Sequence, residues 1–306
     1  MMRDPALLTW LDAPSNRLGH PNENLARELM ELFTIGVGHY TETDVKEVAR
    51  ALTGWTVKRG EFLVQTKLHD ASEKIVLGQS GRFAGDDVLD KLISHSATSQ
   101  RLVWRLSQEF FGDGVVSDEA MDELTIGLRD HDLDIRWAVE TMLRSELFFS
   151  DANVGRRIMD PASFLIAPLR AIEYWNQRPS TLVLAEWLTR MGLDLFYPPN
   201  VGGWSGGKSW LTTRAVIARA NYAVALATGR ISNPAQPPNL ESVISNHVRN
   251  DQGNIRTEWL ASILCNKTNP ELIEAVNKAM AAVSIPEQKL SQAVVALLSR
   301  PEAQLH

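Results

Sequence analysis

Pro21-Asn-Glu-Asn-Leu-Ala-Arg-Glu-Leu-Met-Glu-Leu-Phe-Thr-Ile-Gly36, followed by Thr41-Glu-Thr-Asp-Val-Lys-Glu-Val-Ala-Arg-Ala-Leu-Thr-Gly54, decides the fold class. Asn22 can cap a helix in which Leu25, Leu29, Leu32 and Phe33 share one face, and Gly36 supplies a stop. On the opposite face Glu23, Arg27 and Glu31 recur every fourth residue, so neighbouring turns can pair charges. Thr41 and Asp44 match a capping box that opens a second helix, with Val45, Val48, Ala49 and Leu52 as its apolar face and Gly54 as its end. Two helices between residues 21 and 54 set the pattern for a mainly α, multi-helical globular array.

Outward from there the helical period recurs at about Asp86 to His95, Thr98 to Phe111, Asp118 to Asp130 and Asp134 to Phe149. It continues over Ala162 to Trp175, Leu182 to Met191 and Ser209 to Ala227. The habit breaks between Glu61 and Leu77, where Phe62-Leu-Val-Gln65 and Lys74-Ile-Val-Leu77 flank a polar segment and predict one small β-hairpin. Ile231-Ser-Asn-Pro-Ala-Gln-Pro-Pro-Asn239 cannot continue a helix. The expected organisation is therefore a main helical unit over 1–230, a proline-rich connector over 231–239, and a tail of three or four short helices over 240–306 packed on the main unit. Ala138-Val139 before Leu143-Arg-Ser145 echoes Ala293-Val294 before Leu298-Ser-Arg300, which reads as two helices that end alike.

Composition narrows the function classes. The 306 residues are 44% hydrophobic and 22% charged, ordinary values for a globular protein. The 37 acidic residues against 31 basic ones leave a formal charge of -6, a poor basis for holding nucleic acid. One cysteine, Cys265, excludes an intrachain disulfide and a thiolate-rich zinc site. No apolar run approaches the roughly 20 residues of a membrane span, and Met1-Met-Arg-Asp-Pro5 has no export-signal pattern, so a soluble chain is expected. Nine tryptophans, dispersed from Trp10 to Trp259, are expected chiefly as core anchors.

Three stretches resemble signatures of the domain of unknown function 1800 family. The first is Asn16-Arg17 with Pro21 to Gly36, continuing through Tyr40-Thr41, Asp44-Val45 and Ala49-Arg-Ala-Leu-Thr-Gly-Trp55. The second is His69-Asp70 with Lys74 and Leu77-Gly78; the third is Pro198-Pro-Asn-Val-Gly-Gly-Trp-Ser-Gly-Gly-Lys-Ser-Trp210, with Arg219, Asn221 and Ala223 beyond it. Against the family pattern, a helical region that usually precedes Asp4 is expected to be missing here. The resemblance implies that relatives are often exported or envelope-associated. It also implies that they are often encoded beside members of the domain of unknown function 1501 family, which look like exported relatives of sulfatases and phosphatases. It implies no activity.

The residues themselves offer several chemistries. Gly202-Gly-Trp-Ser-Gly-Gly-Lys208-Ser209 satisfies the spacing of a phosphate-binding loop, but Pro198 and Pro199 forbid the buried strand that should precede it. Tight packing of glycine backbone around Trp204 and Trp210 is the plainer reading, and a platform that stacks a sugar ring on those tryptophans is the sharper one. His69-Asp70 can shuttle a proton if the pair converges in a turn, and Glu28 and Glu31 lie close enough on a helix to offer two carboxylates. No His-x-x-x-His or Glu-x-x-His spacing supports a metal, and neither metal nor cofactor is expected. Catalytic candidates are thus Glu28, His69 and Asp70. Binding candidates are Asn22, Asn24, Arg27, Glu31, Asp44, Arg50, Trp55, Lys74, Asn200, Trp204 and Trp210. A structural polar network is expected ahead of a catalytic one. The leading function is a binding or scaffold protein for an exported phosphatase- or sulfatase-like partner of the 1501 family. The alternatives are a hydrolase using Glu28, His69 and Asp70, and a carbohydrate-binding module using tryptophan faces.

Overall fold

The computed structural model describes residues 1–174, 179–248 and 255–305, without the side chain of Ile255; Trp175, the expected end of one helix, lies outside the described residues. The chain forms two compact units, Met1–Phe110 with Val116–Arg144, and Phe111–Val115 with Ser145–His306. The mainly α expectation holds: fourteen α-helices among the described residues dominate, with only two small antiparallel hairpins.

The first unit runs through α1 (Pro5–Trp10), α2 (Asn24–Glu28), α3 (Glu42–Ala51), β1 (Trp55–Lys58), β2 (Glu61–Val64), β3 (Lys74–Val76), β4 (Gln79–Gly81), α4 (Gly85–Ser94), α5 (Ser96–Phe110), α6 (Asp118–Asp130) and α7 (Ile135–Arg144). The capping box of α3 forms as spaced, with Thr41 and Asp44 bonded reciprocally. Its apolar face, Val45, Val48, Ala49 and Leu52, is wholly buried, each side chain contributing about 1–3 kcal/mol by leaving water. The helix from Asn22 departs from expectation. After Glu28 it widens into a π-helical turn over Leu29–Phe33. That turn takes up an extra residue, so the buried face slips: Met30 and Ile35 are sealed, whereas Leu32 and Phe33 are only partly so.

The hairpin expectation needs correction. The two extended runs do not pair with each other; β1 pairs with β2 and β3 with β4, each as its own antiparallel ribbon. Tight turns at Arg59-Gly60 and Leu77-Gly78, all four with positive φ, make each short ribbon possible.

The second unit contains α8 (Pro161–Ala171), α9 (Thr181–Arg190), α10 (Thr213–Ala227), α11 (Leu240–His247), α12 (Ile255–Cys265), α13 (Pro270–Ala281) and α14 (Lys289–Leu298). Phe164, Leu226, Leu260, Val276, Val294 and Leu297 meet in one core, and Ile231 and Leu240, at either end of the proline-rich segment, are buried in it too. The echo between α7 and α14 is structural, since each is followed by a short 3-10 turn, Glu146–Phe149 and Pro301–Gln304. Not every tryptophan anchors a core. Trp55 and Trp210 are buried, but Trp10 and Trp104 are 70% and 51% exposed.

Candidate functional site

In the first unit the polar residues of the first two signatures converge on one guanidinium. Arg50, in the last turn of α3, donates from Nε to Asp70 Oδ2 at 2.8 Å and from Nη1 to both oxygens of Glu47 at 2.8 Å. Its Nη2 donates to Ser72 Oγ and to the Glu73 carbonyl. Ser72 in turn donates to the other oxygen of Asp70 through its backbone N–H and its hydroxyl. Burial alone would raise the Asp70 carboxyl, but hydrogen bonds from Arg50 and Ser72 outweigh it and hold that carboxyl well below the usual carboxylate range.

The same network fastens the segment that bears His69. Lys74, 1% exposed, donates from Nζ to the carbonyls of Asp70 and Ser72, and desolvation pushes its ammonium below the usual lysine value. Thr53 Oγ1 accepts from the Asp70 N–H at 2.8 Å, and His69 Nδ1 lies 3.1 Å from the Thr53 carbonyl. Asp44 Oδ1 accepts from the Leu77 N–H at 2.7 Å and Glu47 Oε2 from the Ile75 N–H at 3.0 Å, so two carboxylates of α3 tie down the β3 segment. Hydrogen bonds from Thr41 and Leu77 outweigh desolvation and lower the Asp44 carboxyl as well. Gly54, at φ +84°, lets this segment approach: a Cβ there would stand 2.6 Å from the Gln65 carbonyl oxygen.

Asp44, Arg50, Asp70 and Lys74 are therefore members of one network, and Glu47, Thr53 and Ser72 complete it. Glu47 was legible as the i,i+3 partner of Arg50; Thr53 and Ser72 carried no signal, because hydroxyl roles depend on loop geometry. The other candidates are engaged elsewhere. Arg27 makes a bidentate pair with Glu42, 2.7 Å on each arm, and reaches Glu23 at 3.2 Å. The side chain of Asn22 accepts from the Asn24 N–H and donates to Ser15, while its own N–H goes to buried Asn16. Asn24 makes only a long 3.5 Å side-chain contact with Asp12. Trp55 is 3% exposed, edge-on to Phe62 at 5.0 Å, and packs so closely on Gly85 that a Cβ there would lie 2.3 Å from its ring.

Glu28 is half-buried with no hydrogen-bond partner among the described residues, and desolvation followed by repulsion from Glu31 raises its carboxyl. The charges that act on Glu28 are those of Glu31 and Arg27, whereas Asp70 answers to Arg50 and Ser72. Glu28 and Asp70 thus share no charged partner. Among the described residues no group of three or more His, Cys, Asp or Glu side chains is arranged to hold a metal ion.

The third signature belongs to the second unit. Among the described residues no strand leads into it; the glycine segment passes into a 3-10 turn, Gly207–Leu211, and then α10. Lys208 is spent on an exposed ion pair with Asp113 at 2.7 Å. Asn200 caps its own turn by accepting from the Gly202 N–H at 2.9 Å. Trp210 is buried, Trp204 half-buried. Just before them Phe196 and Tyr197 stand 91% and 75% exposed, with Phe196 held at φ +67°, a conformation that side chains other than glycine rarely adopt.

One open concavity escaped the reading of the sequence. A cavity of about 400 Å³ in the first unit opens beside the π-helical turn, walled by Glu31, Gly36, His39, Gln100, Arg101 and Trp104. Its sequence signal was the i, i+3, i+4 spacing of Arg101, Trp104 and Arg105, which puts a ring and two cations on one face of α5.

No helix among the described residues is long and apolar enough to cross a membrane. No curated protein and no solved structure matches the chain. Residues 1–305 match the family described as "Protein of unknown function (DUF1800)", and with that extent of coverage the chain belongs to this family.

Proposed function

We propose that the protein is a binding or scaffold protein that holds a protein partner through the exposed loop leading into its third signature. One observation carries this reading: Leu195, Phe196, Tyr197 and Val201 are 41%, 91%, 75% and 49% exposed within seven residues. Contiguous apolar exposure of that kind costs solubility and marks surfaces that another molecule covers. Pro198 and Pro199 stiffen the loop, so little conformational freedom is lost when it docks. The partner implied by the resemblance is an exported phosphatase- or sulfatase-like protein of the 1501 family. Co-expression with such a protein and native co-purification tests the reading. Wild type retains the partner, and the double variant Phe196→Ser, Tyr197→Ser releases it while keeping its thermal midpoint. Failure of the wild-type chain to retain any such protein removes the proposal.

A binding role also fits the first unit, where the polar signature residues are consumed in internal hydrogen bonds. The hydrolytic alternative keeps one supporting observation, the raised carboxyl of Glu28, a state suited to donating a proton. The sugar-binding alternative keeps Trp204 alone, since Trp210 offers only 8% of its surface.

A further inference from the structure

The cavity beside the π-helical turn is lined by Arg101, whose charge Glu31 offsets only from a distance. Arg101 and Arg105 lie one turn apart on α5, and neither forms an ion pair among the described residues. Their hydrogen bonds converge on the single carbonyl of Leu32, at 3.5 Å from Arg101 Nη2 and 3.2 Å from Arg105 Nη1. The first of these is long enough to contribute little. The Nε of Arg101 is sealed from solvent with no hydrogen-bond partner among the described residues. Desolvation and the neighbouring Arg105 act against the charge on Arg101, and Glu31 offsets them only in part. A guanidinium so placed costs stability that a bound anion recovers.

The walls say what kind of anion. Trp104, between the two arginines in sequence and half exposed, lines the cavity and offers an aromatic surface that no other ring occupies among the described residues. Glu31, on the facing wall, has one oxygen engaged by the Tyr40 hydroxyl at 3.0 Å, so it opposes a highly charged ligand such as a phosphate more than a monoanion. A volume of about 400 Å³ suits a small molecule. The space is also maintained by backbone: Gly36, at φ +82°, would place a Cβ 3.0 Å from Arg101 Nη1.

We propose that this cavity binds a small carboxylate with a flat apolar body, its carboxylate on Arg101, with Arg105 one turn along just outside the lining, and its ring against Trp104. Carboxylate matches the planar fork of a guanidinium, and a second cation within one turn favours the charged form of the ligand. The site lies in the first unit, and its failure or success is independent of the partner loop at Phe196.

Phenylacetate is the probe, titrated by calorimetry and by two-dimensional amide NMR, with phenethylamine and 2-phenylethanol as ring-matched cation and neutral controls. Saturable binding of phenylacetate is expected, with shifts confined to amides of residues 31–39 and 97–105, and no binding of the two controls. Arg101→Met and Trp104→Ala each weaken it about tenfold or more, the loss of roughly one charge-assisted or stacking contact. Should Arg101→Met fold poorly, Arg105→Met alters only an exposed side chain and is expected to weaken binding about fivefold. No phenylacetate binding, equal binding of the neutral alcohol, or undiminished affinity in the folded Arg105→Met and Trp104→Ala variants overturns the proposal.

Discussion

The two units solve the same problem with different materials. In the first, irregular chain between α3 and α4 is fastened by a buried lysine and an arginine that bridges two carboxylates, a hydroxyl and a carbonyl. In the second, seven α-helices among the described residues close around leucine, valine and alanine, and the one deeply buried cation described there is Arg219, 1% exposed. Arg219 donates to the Met159 carbonyl at 2.7 Å and to Gln304 at 3.0 Å, and lies over the Phe164 ring at 4.7 Å. Helices satisfy their own backbone; loops do not. Charged side chains therefore gather where the chain has little regular structure to pair its N–H and C=O groups.

That contrast is open to attack, and the severest test is to cut the clamp. Arg50→Met leaves Asp70 and Glu47 partly buried and unpaired, with an expected loss of about 3–5 kcal/mol. Hydrogen exchange should show amides of residues 66–77 losing protection while those of α10 and α14 keep theirs. Uniform loss in both units would sink the idea that the clamp serves one of them.

Next in size is Gly54→Ala, where positive φ and the close Gln65 carbonyl together imply about 2–3 kcal/mol, read as a shift in denaturant midpoint. Arg219→Met sharpens the comparison from the other side. It removes a buried charge along with two hydrogen bonds, terms of opposite sign, so a net cost of about 1–2 kcal/mol is expected. A loss as large as that of Arg50→Met would mean that the second unit depends on polar fastening as much as the first.

The smallest effect is pH dependence. Asp70 and Asp44 have carboxyls below their unfolded values, so the stability they confer is fully present above about pH 5 and is lost as pH falls through their folded values. Protection in the 66–77 segment should therefore decline in acid before that of α14 does. Asp70→Asn should flatten the Asp70 share of this dependence, seen as a shallower slope of stability against pH.

Much of this was open to reading beforehand. The capping box at Thr41 and the α3 face of Val45, Val48, Ala49 and Leu52 formed as spaced, because both depend on residues within one or two helical turns. The π-helical turn at Leu29–Phe33 did not announce itself. Its sequence keeps an ordinary helical period, and the widened turn is accompanied by contacts of the Leu32 carbonyl with Arg101 and Arg105, about seventy residues downstream.

The candidate site divided along the same line. Asp44, Arg50, Asp70 and Lys74 lie in one network, whereas Arg27 pairs with Glu42 instead. Glu28 shares no charged partner with Asp70. Helical class, capping and family membership were written in local spacing and motif, since those are set by short-range sterics and hydrogen bonding. Which strand pairs with which, which arginine is fastened to a carboxylate, and which tryptophan is buried were decided by tertiary structure. Those outcomes turn on contacts between residues distant in the chain, and no local period encodes them.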